Sequence, residues 1–178
     1  MAKAVLISIQ PQWCELIASG KKTLEVRKTK PKIETPFKCY IYMSSGDAHI
    51  PDGKGMVHNH SGGRCVIGEF VCDSIECFDV PYPAFQKELD KRIMDESCCT
   101  YYQLHRYAYH DALYGWHISR LVIYDKPKML SEFKQCHKCP YGDYENCDQH
   151  EYSCNGDYRM KRPPQSWCYV EKLRGGEG

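Results

Sequence analysis

The sequence predicts an α+β fold: a small mixed β-barrel with flanking helices and a Cys-rich insert. Segments in which apolar and polar side chains alternate, as in strands, outnumber the segments with helical periodicity. Their order is strand, helix, three strands, helices and two strands, which fits a barrel plugged by helices better than a doubly wound sheet. The 178 residues are enough for one such domain with an elaboration.

The first five elements are predicted before residue 80. The apolar run at 4–9 predicts a buried strand, and Pro11 suits the first position of a helix that ends before Gly20. Alternating side chains predict three further strands, at residues 23–28, 37–43 and 64–78. The last of these is expected to be bulged near Gly68, and the Gly-, Ser-, His- and Asp-rich residues 44–63 predict a long loop.

The remaining part of the chain is predicted to contain two helices and two strands. An apolar stripe of Phe85, Leu89 and Ile93 predicts a helix over residues 81–96. Thr100 is suited to cap a second, shorter helix. The two strands are predicted at residues 115–124 and 167–171.

The composition changes abruptly between the last two strands. Residues 134–160 are polar and rich in cysteine, and they contain too few apolar side chains to build a core of their own. We therefore expect a discontinuous domain of residues 1–133 and 163–173 that carries an insert at 134–160. The Gly-rich residues 174–178 predict a disordered tail.

The overall charge and the hydropathy limit the classes of function. The formal net charge is +1, so nucleic acid would have to be held by a local basic patch. One dense group of cations exists, formed by Lys21, Lys22, Arg27, Lys28, Lys30 and Lys32. The apolar runs are too short for a signal peptide or a membrane span. We therefore expect a soluble, cytoplasmic protein that does not bind a membrane.

The run from Gly20 to Arg27 carries the most specific pattern, Gly-x-Lys-x-x-Glu-x-Arg. Gly20 ends a helix and turns the chain, which places Lys22 beside the first residues of a strand. Glu25 and Arg27 are two residues apart, so they point to the same face of that strand. One carboxylate between two cations leaves a net positive charge, and Arg27 can bind a phosphate with two parallel hydrogen bonds. The pattern therefore predicts a cleft for an anionic ligand.

This pattern resembles the motif of the ASCH family, and other parts of the chain are similar to that family as well. They are residues 8–13, 68–70, 130–133 and 163–171. The resemblance covers residues 4–133 and 163–173, and it is closest to the short bacterial and phage ASCH proteins. It implies a PUA-like fold. Because PUA domains bind RNA, it also implies that the cleft holds RNA or a nucleotide-like small molecule.

Four other residues are candidates for the same cleft. Tyr40 and Tyr42 share one face of their strand and could stack on bases, while Ser166 and Trp167 precede the terminal strand and could reach the cleft. Packing in the core is the ordinary alternative for each of these side chains. On the binding hypothesis the ligand contacts are Lys22, Glu25, Arg27, Tyr40, Tyr42, Ser166 and Trp167.

Two other functions remain open at this point. Some ASCH-like proteins are amidohydrolases of acetylated cytidine and others are reported to cut RNA, so the resemblance also admits a hydrolase. Its catalytic residues would be Lys22, Glu25 and Glu69, although Glu25 stands where the amidohydrolases have their threonine. The other alternative is an interaction protein whose Cys-rich insert contacts a protein partner. The sequence alone leaves the oligomeric state open.

The insert contains a cluster of potential metal ligands. Cys136 and Cys139 form a Cys-x-x-Cys pair, the spacing with which two thiolates bind one tetrahedral metal. Cys147 and Cys154 would complete the site, with His150 as an alternative ligand. Since four protein ligands would close the coordination sphere, we expect a structural zinc ion. The alternatives are a loop with free thiols and a redox-labile pair of cysteines.

Overall fold

The computed structural model describes residues 3–46, 48–51, 56–59, 63–81, 89–136 and 159–173. The elements follow one another as β1 (Lys3–Ile9), α1 (Pro11–Ala18), β2 (Leu24–Arg27), β3 (Phe37–Met43), β4 (Ala48–Pro51), β5 (Met56–Asn59), β6 (Cys65–Phe78), α2 (Lys91–Ser97), α3 (Tyr101–Ala108), β7 (Leu113–Met129), a 3-10 turn (Leu130–Glu132) and β8 (Trp167–Glu171). One large sheet with separate helices confirms the predicted α+β class. None of the described helices is both long enough and apolar enough to cross a membrane.

Six strands form one mixed sheet in the order β2-β7-β6-β3-β1-β8, and β4 and β5 form a separate hairpin. Neighbouring strands of the large sheet are antiparallel, except that β1 and β3 run parallel. The sheet is not closed, because no backbone ladder joins β2 to β8 in the described residues. Side chains cross the gap instead: Arg27 donates to the Ser8 carbonyl of β1 at 2.6 Å, and the Trp167 indole donates to the Thr29 hydroxyl at 3.0 Å. The predicted barrel is therefore an open sheet whose two ends are bridged by side chains.

Both faces of the central strands are buried. On one face, alternate residues of β1 such as Val5 and Ile7 pack with α1 and with the fully buried Trp116. On the other face, Tyr40 packs against Phe133, with ring centroids 4.9 Å apart. A third apolar cluster joins β2 to α2 and α3. This third cluster positions the site, because it fixes both helices against the strand that carries the motif.

The helices confirm most of the predicted boundaries. α1 begins at the predicted proline, and α3 begins with a capping box at Thr100, whose hydroxyl accepts from a backbone amide at 3.3 Å. α2 is shorter than the predicted helix over residues 81–96. It starts after Asp90, whose carboxylate accepts from a first-turn amide at 2.8 Å. Residues 82–88 lie outside the described residues.

The structure corrects two predictions about the strands, those for residues 44–63 and 115–124, and it confirms the predicted bulge near Gly68. The predicted long loop at 44–63 contains the β4–β5 hairpin. β7 is 17 residues long and extends beyond the predicted strand at 115–124 at both ends, because it pairs with β6 along most of its length. β6 is bulged at Gly68, where its register shifts against both neighbours. Because of this bulge, Ile67 and Glu69 face opposite sides of the sheet, although their spacing predicts a shared face.

The two ends of the Cys-rich insert lie side by side. Lys134 and Arg159 form an antiparallel backbone bridge. The first residues of the insert also follow β8, since the Cys136 amide donates to a β8 carbonyl at 3.0 Å. Residues 137–158 and the tail at 174–178 lie outside the described residues, so the predicted division into domain, insert and tail stays a prediction.

Candidate functional site

The motif lies where α1, β2 and α2 meet. α1 is followed by Gly20, whose φ of +73° is a conformation that glycine adopts without steric cost. The amide of Lys22 donates back to the Leu16 carbonyl of α1 at 3.0 Å, and the amide of Thr23 donates to the Glu96 carbonyl of α2 at 2.9 Å. β2 then pairs antiparallel with β7. The charged residues of the motif are therefore held by backbone bonds to three different elements.

Lys22, Glu25 and Arg27 form a buried charged row. Their exposed fractions are 3%, 5% and 8%. Glu25 lies between the two cations: its Oε2 is 3.4 Å from the Lys22 Nζ, and its Oε1 is 3.0 Å from the Arg27 Nη2. Buried charges persist in a fold only when they are paired and hydrogen-bonded, so each side chain holds the others in place. Two cations and one carboxylate leave the charged row with one net positive charge.

The Lys22 ammonium is fully engaged within the protein. It donates to the carbonyl of Leu24 at 2.9 Å and to that of Ser97 at 2.8 Å, besides its contact with Glu25. It also lies over the Trp13 ring, 5.2 Å from the centroid. An ammonium group has three hydrogens, so these acceptors use all of them. Lys22 therefore anchors α2 to β2 and orients Glu25, and the predicted phosphate contact by its ammonium does not fit these surroundings.

Two of the three guanidinium nitrogens of Arg27 are engaged within the protein. Its Nη2 donates to the Ser8 carbonyl at 2.6 Å and contacts Glu25, and its Nη1 donates to the Ser166 hydroxyl at 3.4 Å. The Nε–H is buried and has no hydrogen-bond partner in the part of the chain that the structure describes. A buried unpaired donor costs about 1–3 kcal/mol.

A cavity of about 520 Å³ opens over the charged row, a volume typical of small-molecule sites. Its lining comes from the β1–α1 corner, β2, α3 and the residues just before β8. Polar and aromatic side chains predominate, and the full set is Ser8, Ile9, Gln10, Trp13, Lys22, Glu25, Val26, Arg27, Ser44, Cys99, Gln103, Leu104, Tyr107, Gln165 and Ser166. The cavity can therefore offer ring faces, amides and hydroxyls to a ligand, in addition to its net positive charge.

The thiols next to the charged row are protonated at neutral pH. Burial raises the pKa of Cys99, which lines the cavity. Burial also raises the pKa of Cys14 in α1, and the nearby Glu25 carboxylate raises it further. Because a thiol attacks as the thiolate, neither cysteine is suited to be a nucleophile here.

Among the other residues predicted for the cleft, Ser166 lines the cavity and the aromatic residues do not. Tyr40 and Tyr42 are buried in the cluster around Phe133, and the Tyr40 hydroxyl accepts from the Leu173 amide at 2.9 Å. The Trp167 ring packs against the core tryptophan, with centroids 5.9 Å apart. These three rings pack in the apolar clusters of the core or against them, and they do not line the cavity.

Glu69 also lies away from the cavity. Its carboxylate contacts the Lys38 ammonium and accepts from the Tyr124 hydroxyl at 2.6 Å. Burial alone would raise the pKa of Glu69, but the hydrogen bonds from Lys38 and Tyr124 outweigh it and lower that pKa. The predicted catalytic set of Lys22, Glu25 and Glu69 is therefore not assembled in one place.

Several lining residues carry no local sequence signal. Trp13 belongs to the apolar stripe of α1, which predicts a core position, yet its ring lines the cavity. Gln10, Gln103 and Gln165 come from three distant segments, and Tyr107 lies on the outer part of α3, 40% exposed. The high tyrosine content predicts stacking surfaces in general but does not identify this residue.

Two groups of residues could hold a metal. In the predicted zinc site Cys136 is described, whereas the other ligands, Cys139, Cys147, His150 and Cys154, lie outside the described residues. The second group consists of Glu76, Glu96 and His117, with ligand atoms within 4.8 Å of one another. Arg92 donates to Glu76 at 2.7 and 2.9 Å and to Glu96 at 3.1 Å. Its guanidinium pairs with both carboxylates, and His117 also contacts Glu76, so this group is a salt-bridge network.

Comparison with known proteins agrees with the architecture. No family model and no curated protein matches the sequence. Among solved structures, the chain is similar to ASCH from Zymomonas mobilis, with a TM-score of 0.57 and 20% identity over 95% of this chain and 88% of that one. A tyrosine-to-phenylalanine variant of that protein is similar with a TM-score of 0.56 and 19% identity, over 96% of this chain and 92% of that one. The sheet order, the helices and these likenesses together show that the chain has an ASCH fold.

Proposed function

We propose that the chain binds single-stranded RNA and holds one nucleotide unit in the cavity over the charged row. The charged row beneath the cavity, with its one net positive charge, carries this proposal. The guanidinium of Arg27 belongs to this row, and a guanidinium edge matches the acceptor geometry of a phosphate. The resemblance to PUA-like domains supports RNA as the ligand.

The size and lining of the cavity favour a single strand over a duplex. A volume of about 520 Å³ accommodates one nucleotide. Single strands can present an unstacked base, whereas a duplex hides its bases from side chains. Trp13 and Tyr107 offer ring faces for stacking, and the amides of Gln10 and Gln103 can both donate to and accept from a base edge.

The first test is the substitution Arg27→Lys, which keeps the charge and removes the planar fork. A lysine cannot bind a phosphate with two parallel hydrogen bonds. We therefore expect the affinity for a fluorescein-labelled oligouridine to fall about tenfold or more, equivalent to about 1.4 kcal/mol. Fluorescence anisotropy measures the affinity, and wild-type binding should weaken as salt rises.

Lys30→Ala provides the matched control. Lys30 is an exposed cation of the same basic stretch and does not line the cavity. Its removal should leave the affinity nearly unchanged. The proposal fails if the wild type does not bind RNA, or if Arg27→Lys binds as tightly as the wild type. A thermal melt of each variant separates lost binding from lost folding.

A hydrolase is the second candidate, because the cavity places a carboxylate and a hydroxyl around Arg27. These are Glu25, at 3.0 Å, and Ser166, at 3.4 Å. Since Glu69 lies elsewhere, Glu25 is the carboxylate of the cavity that acid–base chemistry would have to use. Incubation with labelled RNA and with acetylated cytidine separates the candidates. Shortened RNA or cytidine would favour the hydrolase, and binding without product would favour the binding protein.

We also propose that the insert binds one structural zinc ion. The ligands would be Cys136, Cys139, Cys147 and Cys154, with His150 as the alternative to one of them. The insert has too few apolar side chains for a core of its own, and its two ends are joined by a backbone bridge. A metal would supply the missing folding free energy of such a closed loop.

Purified protein is therefore expected to carry about one zinc ion per chain, as measured by inductively coupled plasma mass spectrometry. Cys139→Ser should lose most of the metal and make the insert more sensitive to protease. Cys77→Ser removes an exposed thiol of β6 and should keep the metal. Wild-type protein without bound zinc after purification in zinc-containing medium would rule the site out.

A further inference from the structure

We infer that the cavity over the charged row prefers a base with a carbonyl oxygen at its edge, such as uracil, to one with an amino group there, such as cytosine, and that Gln103 makes this distinction. The inference rests on the proposed function, because it concerns the base of the bound nucleotide. Uracil and guanine carry an oxygen where cytosine and adenine carry an NH₂ group. A cavity group that only donates hydrogen bonds therefore separates these two kinds of base.

The side-chain amide of Gln103 has a fixed orientation. This side chain lines the cavity and also closes the capping box at the start of α3. Its Oε1 accepts from the Thr100 amide at 2.8 Å and from the Thr100 hydroxyl at 3.1 Å. A backbone amide can only donate, so the glutamine atom that faces it must be the oxygen. An amide oxygen has two lone pairs, and the two bonds from Thr100 use both of them.

The amino group of Gln103 is therefore the part that this side chain offers to a ligand. Its Nε2 carries two hydrogens, and neither has an acceptor among the residues that the structure describes. Donation to a carbonyl oxygen leaves the helix cap intact, whereas accepting from a ligand would cost one of the bonds from Thr100. An amino group of a base would face the Nε2 as donor against donor, and neither group would gain a hydrogen bond.

The acceptors of the cavity are already paired, which adds to this preference. Glu25 is the carboxylate among the described lining residues, and its two oxygens face the two cations of the charged row. The Ser8 carbonyl accepts from Arg27 at 2.6 Å, and the Ser166 carbonyl accepts from the Ser8 amide at 2.9 Å. An amino group of a base would have to compete with these bonds, while a carbonyl oxygen finds the donor of Gln103.

Gln103→Glu tests the inference without loosening the helix. Glutamate closes a capping box at this helix position as glutamine does, so one carboxylate oxygen should keep the bonds from Thr100. The second oxygen takes the place of the amino group and turns a donor into an acceptor. A carboxylate in the first turn of a helix is also favourable. The melting temperature should therefore stay the same or rise slightly.

The readout is the ratio of the affinities for a labelled oligouridine and an oligocytidine of equal length, measured by fluorescence anisotropy. Both ligands carry the same number of phosphates, so the added negative charge of Gln103→Glu weakens both alike and cancels in the ratio. We expect the wild type to bind oligouridine about three- to tenfold more tightly, the effect of one hydrogen bond. Gln103→Glu should reverse this order. Guanosine monophosphate should likewise compete with oligouridine for the wild type better than adenosine monophosphate.

Gln12→Glu is the matched control, since it makes the same substitution at an exposed residue of α1 that does not line the cavity. It should keep the wild-type ratio. The inference is overturned if the wild type does not distinguish the two oligonucleotides, if Gln103→Glu keeps the preference for oligouridine, or if both variants change the ratio equally. A wild type that binds neither oligonucleotide would instead overturn the proposed function itself.

Discussion

Replacing Glu25 with glutamine is expected to lower the free energy of unfolding by about 3–5 kcal/mol. The carboxylate is 5% exposed and lies between Lys22 and Arg27, so its neutralisation leaves two buried cations without a counter-charge. Glutamine has nearly the same shape, and the loss is therefore one of charge rather than packing. Urea unfolding should show a lower midpoint with an unchanged slope, and the melting temperature should fall by roughly 6–20 °C.

The matched control is Glu69→Gln. Glu69 also contacts a lysine, but its side chain is 22% exposed and that of Lys38 is 27% exposed, so water screens the pair. We expect a loss of about 1 kcal/mol or less. Inorganic phosphate should stabilise Glu25→Gln more than the wild type, because an anion can take the place of the missing carboxylate. Equal stability of Glu25→Gln and the wild type would mean that the charged row does not contribute to folding.

Gly68→Ala is expected to destabilise the fold by about 3 kcal/mol, the upper part of the range for overpacked cores. A Cβ at this position would lie 2.4 Å from the Val122 carbonyl oxygen and 3.1 Å from the Ile123 Cα, both backbone atoms of β7. β6 lies between β3 and β7, so neither neighbour can move away without breaking its ladder. Chemical denaturation gives the change in free energy directly.

Gly20→Ala separates steric overlap from backbone strain. Gly20 has a φ of +73°, which an alanine tolerates poorly, but nothing lies within 4 Å of its Cβ position. We expect a loss of about 1 kcal/mol from the left-handed conformation alone. If Gly68→Ala were no more costly than Gly20→Ala, the close approach of β6 and β7 at the bulge would not constrain the residue.

Much of the fold follows from local patterns. The apolar run of β1, the alternation of β2 and β3 and the proline at the start of α1 predict those elements within one or two residues. The period of two also predicts that Glu25 and Arg27 share a face, and the structure joins them at 3.0 Å. These predictions succeed because each depends on neighbours that are close in sequence.

The surroundings of the charged row depend on distant residues, which no local pattern contains. Lys22 is a predicted ligand contact because it is the lysine of the Gly-x-Lys-x-x-Glu-x-Arg pattern, but its ammonium donates to the Ser97 carbonyl, 75 residues away. Tyr40 and Tyr42 alternate with apolar residues and so predict a solvated face. The residues that cover them are Phe133 and Met160, which come from beyond the last long strand.

The bulge in β6 shows how one backbone irregularity changes a side-chain prediction. Gly68 marks the bulge in the sequence, since a glycine inside a strand is often a bulge position. The consequence for the following residue is less evident, because an inserted residue reverses the alternation of faces. Glu69 is accordingly turned to Tyr124 and not to the face of Ile67.

The contact between the insert and β8 also protects the molecule from self-association. β8 is the last strand of the sheet, and an uncovered last strand offers its amides and carbonyls to any other extended chain. Here the Glu171 amide donates to the Lys134 carbonyl at 2.9 Å, and the Cys136 amide donates to the Tyr169 carbonyl at 3.0 Å. The first residues of the insert thus cover part of the outer edge of β8. A shortened version of the protein should therefore retain residues 134–136. Without them, the edge of β8 is unpaired and can form hydrogen bonds with the backbone of another chain.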